Sequence, residues 1–193
     1  MKRVAVYCGS CMGGRAEYRR AAEELGHLLV SRNIGLVYGG GNVGLMGAIA
    51  KTVLEDGGEA IGVIPRFLEE EEIVNRDLTE LFVVDTMHQR KMKMAELAEG
   101  FIALPGGFGT LEEWFEMLTW AQIGHHHKPV ALLNVCGYFD PLLEMIDRGH
   151  RERFVRTEYC DMIIKDSDAA RLLDRMKSFK PVMLEKWTGL ERV

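Results

Sequence analysis

No stretch of the 193-residue sequence approaches the ~20 apolar residues of a membrane span. The first ten residues, MKRVAVYCGS, include basic ones, but their apolar part is too short for a signal peptide, so a cytoplasmic protein is expected. Positive charge is not in excess either. Lys plus Arg is 24 and Asp plus Glu is 29, a net charge of −5. Broad nucleic-acid binding needs a basic face to neutralise phosphates, so the balance argues against it while allowing a small basic pocket. Cysteine is sparse: Cys8, Cys11, Cys136 and Cys160 are expected as thiols in a reducing compartment, not as a disulfide framework. No G-x-x-x-x-G-K-[ST] loop is present, which argues against P-loop hydrolysis of ATP or GTP. The dinucleotide fingerprint is also missing after the first apolar run, where the chain reads CGSCMGG. No aspartate cluster stands near the glycine-rich segments to hold Mg²⁺ for chemistry at a phosphate.

What is present is an alternation of strand-like and helix-like segments, with no linker and no internal repeat. The runs RVAVY (3–7), GLVYGGG (35–41), AIGVI (60–64), LFVVD (81–85), FIALP (101–105) and PVALLN (129–134) are apolar and unbroken, and DMIIKD (161–166) resembles them. Unbroken apolar strands indicate a parallel sheet covered on both faces. Helical spacing is expected over 17–31, 45–55, 87–98, 111–122, from Pro141 to about 148, and over 169–177. The expected fold is therefore a single α/β domain over 1–180, with a tail over 181–193. It is Rossmann-like and doubly wound, with about seven mostly parallel strands and helices on both faces.

In such a sheet, ligands bind beyond the carboxyl ends of the strands. Two glycine-rich loops fall there: GGGNVGLMG (39–47) after the second strand and PGGFGT (105–110) after the fifth. Glycine lets backbone N–H groups approach an anion, and a helix N-terminus favours negative charge. Together the loops point to a nucleotide or sugar phosphate. Cys8-x-x-Cys11 and the triplet His125–His127 are read more simply, as a turn and a polar helix end, because no second metal pair follows and three adjacent histidines cannot face one ion from a helix.

Two charged groups stand out. In TMHQRKMKMAELA (86–98), Thr86 and Gln89 form a capping box, and Arg90 and Lys91 share a stripe with Met87, Met94, Leu97 and Ala98. A guanidinium facing a core needs an anionic partner, either a structural carboxylate or a substrate phosphate. Glu113 closes Thr110-Leu-Glu-Glu, itself a capping-box pattern, directly on the second glycine loop. The residues alone leave both roles open, helix cap or ligand contact.

Together, GGGNVGLMG, MHQRK and PGGFGTLEE resemble the LONELY GUY family of cytokinin-activating phosphoribohydrolases, and the similarity runs from VYCGS to about Lys177. The family pattern P-G-G-x-G-T-x-x-E is met by Pro105, Gly106, Gly107, Gly109, Thr110 and Glu113. The resemblance implies a homodimer or larger homo-oligomer with the site near the subunit interface. It implies cleavage of a nucleoside 5′-monophosphate, AMP or an N6-modified relative, to free base and ribose 5-phosphate, with no metal and no cofactor. The catalytic pair would be Arg90 and Glu113. Substrate contacts would be Glu72, Lys91, Gly106, Gly107, Phe108, Gly109, Thr110, Leu111, Glu112 and Thr119. The two earlier loops add Ser10, Gly40 and Gly41 to the expected contacts. The first loop departs from the family's C-G-S-S, with Cys11 in place of the second serine. Relatives are often labelled lysine decarboxylases, but nothing here resembles a pyridoxal-phosphate lysine motif. A non-catalytic nucleotide or molybdenum-cofactor carrier is the alternative; it would need the loops and the basic stripe but not Glu113.

Overall fold

A computed structural model describes residues 1–69 and 74–181. The expected tail therefore lies outside the described residues except for Pro181, and so does Glu72. The elements in chain order are β1 (Arg3–Tyr7), α1 (Ala16–Ser31), β2 (Gly35–Tyr38), α2 (Gly44–Glu55), β3 (Ala60–Pro65), α3 (Arg66–Glu69), β4 (Glu80–Val84) and α4 (Met87–Leu97). Then follow β5 (Phe101–Ala103), α5 (Phe108–Gln122), β6 (Val130–Leu133), α6 (Asp140–Arg151), α7 (Thr157–Asp161), β7 (Ile163–Asp166) and α8 (Ala169–Lys177).

The seven strands form one sheet in the order β4-β3-β2-β1-β5-β6-β7, and every pairing is parallel. Side chains alternate across it. Val4 and Val6 of β1 join the core beneath α1, α2 and α8, while Ala5 and Tyr7 join the core beneath α4 and α5. Helix α1 buries Ala22, Leu25, Gly26 and Leu29, the 3-4 spacing of one helical face. On the other side Trp114 and Met117 of α5 are fully buried. Each large apolar side chain removed from water in this way contributes about 1.5–3 kcal/mol.

Strand order reverses between β1 and β5. Their neighbours lie on opposite sides, so the loops after these two strands splay and leave a crevice. Gly9 ties the crevice together. Its N–H donates to the Pro105 carbonyl at 3.1 Å, and its own carbonyl accepts from the Leu45 N–H at 3.0 Å. The loops after β1 and β5 and the start of α2 are thereby fixed to one another.

One expectation needs correction. Helix α5 begins at Phe108, not Leu111, with Gly107 as the N-cap and no side-chain cap. The Leu111 N–H already bonds the Gly107 carbonyl at 3.2 Å. Thr110 and Glu113 therefore do not form a capping box. The Thr86–Gln89 box does form, with both reciprocal bonds present.

Candidate active site

The crevice at the β1/β5 switch is a cleft of about 260 Å³. Its lining includes Tyr7, Ser10, Gly39, Met87, Arg90, Gly107, Phe108, Gly109, Thr110, Glu112 and Glu113. Helix α4 brings Arg90 from one side and α5 brings Glu113 from the other. Arg90 Nη2 lies 3.4 Å from Glu113 Oε1, and the two side chains are only 11% and 10% exposed. Burial pushes the Glu113 carboxyl up to about 7, against the downward pull of Arg90. A carboxyl that titrates near neutral beside a guanidinium in a cleft is an arrangement suited to proton transfer or to stabilising a developing cation.

Glycine serves two different purposes here. Gly39 makes room for the arginine: a Cβ on it would lie 2.1 Å from Arg90 Nη2. Gly106 makes room for its own loop, because a Cβ there would sit 2.1 Å from Thr110 Oγ1. By contrast, a Cβ on Gly107 or Gly109 would meet nothing within 4 Å. The protein itself does not require glycine at those two positions. Both line the cleft at the first turn of α5, where the leading N–H groups have no intrahelical acceptor. Their bare backbone leaves room for an anion to approach those donors.

The other expected contacts divide. Ser10, Phe108 and Glu112 line the cleft, and Phe108 is 93% exposed. Lys91 does not line it. Its ammonium is buried against Glu112 at 2.5 Å and Glu116 at 3.0 Å on α5. Burial pulls its pKa down, but the two carboxylates outweigh that and the net shift is upward. Gly40 packs toward Ile64 and Leu81, and Gly41 forms an antiparallel bridge with Val74. Gly106 and Leu111 lie on the same loop and helix turn without lining the cleft, and Thr119 is exposed farther along α5. Sequence reasoning missed Gly39 and Tyr7. The GGG run was the only signal for Gly39, and it did not single out which glycine faces the cleft.

Cys8 is buried, which pushes its thiol pKa well up, and Cys11 is exposed; all four cysteines are free. His126 packs on the Phe101 ring, and burial pulls it down to about 4. Among the described residues no group of three or more His, Cys, Asp or Glu side chains is arranged to hold a metal ion. No helix among them is long and apolar enough to cross a membrane.

The family model described as "Possible lysine decarboxylase" matches residues 46–176. The chain is 50% identical to the probable cytokinin riboside 5′-monophosphate phosphoribohydrolase LOGL1 of Oryza sativa subsp. japonica, over 92% of this chain and 79% of that protein. It is 48% identical to the cytokinin riboside 5′-monophosphate phosphoribohydrolase LOG1 of Arabidopsis thaliana, over 93% and 84%. The chain belongs to the LONELY GUY family. Among solved structures, the molybdenum cofactor carrier protein of Chlamydomonas reinhardtii superposes with a TM-score of 0.67 at 21% identity, covering 91% of this chain and 96% of that one. At that identity the likeness establishes a shared fold.

Proposed function

We propose that this chain is a nucleoside 5′-monophosphate phosphoribohydrolase. It hydrolyses the N-glycosidic bond of AMP or an N6-modified AMP, releasing adenine or a cytokinin base and ribose 5-phosphate. The observation that carries the reading is the buried Arg90–Glu113 pair beside a glycine-lined helix N-terminus. The identity to relatives named for this activity supports it.

In this reading the leading N–H groups of α5, bare at Gly107 and Gly109, take the 5′-phosphate. Binding energy from that remote group orients the ribose for reaction. N-glycosidic cleavage passes through an oxocarbenium-like state at C1′ with negative charge on the leaving base. Glu113 in its ionised form hydrogen-bonds the ribose hydroxyls, opposes the developing cation and positions water. Arg90 holds Glu113 in place and assists departure of the base. Lys91, one residue on, ties α4 to Glu112 and Glu116 of α5 and so helps set the spacing of Arg90 and Glu113. Ser10, Phe108, Thr110 and Glu112 complete the contacts around the ligand.

The same proposal includes a homodimer in the cytoplasm. Exposed Met92 on α4, Phe115 on α5 and Ile123 at the α5 C-cap are apolar surface that a second copy would cover, and Thr119 lies on α5. Light scattering on the purified protein tests the assembly. A carrier of the molybdenum-cofactor type would use the cleft and the basic stripe but leaves the buried Glu113 without a task.

Incubation of wild type and Glu113→Gln with AMP and with N6-isopentenyl-AMP, without added metal, tests the chemistry. Chromatography of free base and ribose 5-phosphate is the readout, with thermal melts to check folding. Release by wild type and not by a folded variant supports the reading. Nucleotide binding by wild type with no release from either substrate sinks it.

A further inference from the structure

Tyr7 closes β1 with only 2% of its surface exposed. Its ring stacks on Phe101, with centroids 6.3 Å apart and 6° between the planes. Stacking accounts for the ring, and phenylalanine would stack equally well. It does not account for the hydroxyl. That oxygen is buried without a hydrogen-bond partner among the described residues, a costly condition unless something else satisfies it.

The position is informative. Tyr7 lines the same cleft as Arg90 and Glu113. Besides burial, the groups that act on its phenol are, in order, Glu113, Glu116, Arg90 and Glu112. Arg90 Nε and Glu116 Oε2, buried and without partners among the described residues, belong to residues in this same set. Glu113 itself is underused as an acceptor. Its contact with Arg90 is through Oε1 at 3.4 Å, longer than a charge-assisted hydrogen bond.

We propose that Tyr7 is a positioning residue for Glu113: its hydroxyl donates to the carboxylate in the working site and fixes its orientation at the ribose. The kinetic part of this rests on the phosphoribohydrolase reading. The groups facing Glu113 are Arg90 and Lys91 from α4, Glu112 and Glu116 on α5, and Cys8 at the end of β1. The two cations and two carboxylates oppose one another, and burial keeps the Cys8 thiol protonated. Tyr7 is the neutral O–H donor in that set. A hydrogen bond to the ionised form favours that form, so Tyr7 keeps Glu113 anionic to lower pH than it would otherwise be.

The test is Tyr7→Phe in the full chain, which keeps the ring and removes only the oxygen. Glutamate labelled with ¹³C at Cδ is titrated by NMR, and the Glu113 signal is assigned by its loss in Glu113→Gln. In Tyr7→Phe the Glu113 titration is expected to move up by about one pH unit, as loss of one hydrogen bond to a charged group would give. The acid limb of kcat/KM for AMP moves by the same amount, and kcat falls about tenfold on that limb. Tyr38→Phe, which removes the other buried phenol on the opposite sheet face, moves neither. An unchanged Glu113 titration in a folded Tyr7→Phe overturns the proposal, whether or not the protein turns over nucleotide. A wild type that releases no base overturns the hydrolase reading alone, because the titration still decides the hydrogen bond. Should Tyr7→Phe not fold, 3-fluorotyrosine at position 7 is a stronger donor of the same shape. Glu113 then titrates lower, and no movement overturns the proposal.

Discussion

Alanine at position 39 separates the fold from the site. Gly39 follows β2 and its backbone lies outside the left-handed region, so alanine meets no conformational barrier there. The added methyl would sit 2.1 Å from Arg90 Nη2 and 3.2 Å from Met46 Sδ. Unbonded heavy atoms settle at roughly 3.5–4 Å, so the guanidinium must withdraw by more than about 1 Å. It is the far end of a flexible side chain, and it can move without disturbing the backbone. The movement takes it off Glu113, which it reaches at only 3.4 Å in the first place. A misplacement of about 1 Å in a catalytic pair costs on the order of 100-fold in rate, or about 2.7 kcal/mol of transition-state stabilisation. Stability falls by about 3 kcal/mol, the usual cost of parting a buried pair. Gly→Ala at a compatible site gains about 0.4–1 kcal/mol through the unfolded chain, which offsets part of the lost ion pair. The assay is base release from AMP alongside a urea unfolding curve. A folded Gly39→Ala that keeps kcat/KM within about threefold of wild type would refute the assignment of Arg90 to the chemistry.

Glu113→Gln should change how stability depends on pH. Burial raises the Glu113 pKa from 4.5 to about 7, so the native state binds that proton more tightly than the unfolded chain. Stability from this group is full below about pH 4.5 and falls as pH rises through 7, by about 3 kcal/mol in all. In the variant that slope between pH 5 and 8 should flatten in urea unfolding, and an unchanged slope would mean the carboxyl is better solvated than its burial implies. Gly109→Ala should fold at least as well as wild type, because alanine is the better helix former by about 1 kcal/mol, while KM for AMP rises about tenfold or more; an unchanged KM would remove the phosphate from the α5 N-terminus. Lys91→Met strips the cation from Glu112 and Glu116 and should lower stability by roughly 2 kcal/mol, seen as a reduced denaturation midpoint, with KM raised only a few-fold because Lys91 does not line the cleft.

The sheet was legible because its strands are apolar on both faces. RVAVY, AIGVI and FIALP each belong to two cores at once, which is why they lack alternation. The short helices α3 and α7, of four and five residues, were not legible, since so few residues carry no period. Arg90 was readable as a misplaced cation. Its partner was not, because Glu113 carries a local pattern that imitates a cap. What decides is where α5 begins. Had Thr110 been the N-cap, Glu113 would be the third helical residue and could reach back to the cap's N–H. With Gly107 as the N-cap, it is the sixth, more than a full turn in and out of the position from which a capping box reaches back to the cap's N–H. Three residues of extra helix turn it by about 300° and bring it under Arg90. The extra turn consists of Phe108, Gly109 and Thr110, and the helix gains no side-chain cap from it. Two of those residues, Phe108 and Gly109, are mostly open to the cleft or leave space there. A helix start that bares N–H donors beside a buried carboxylate fits the phosphate of the proposed substrate, which would satisfy those donors. Local propensity cannot report a ligand, and so the same eleven residues, LPGGFGTLEEW, read from sequence as a capped helix and in the fold as an uncapped helix start lining a cleft, with a buried acid behind it.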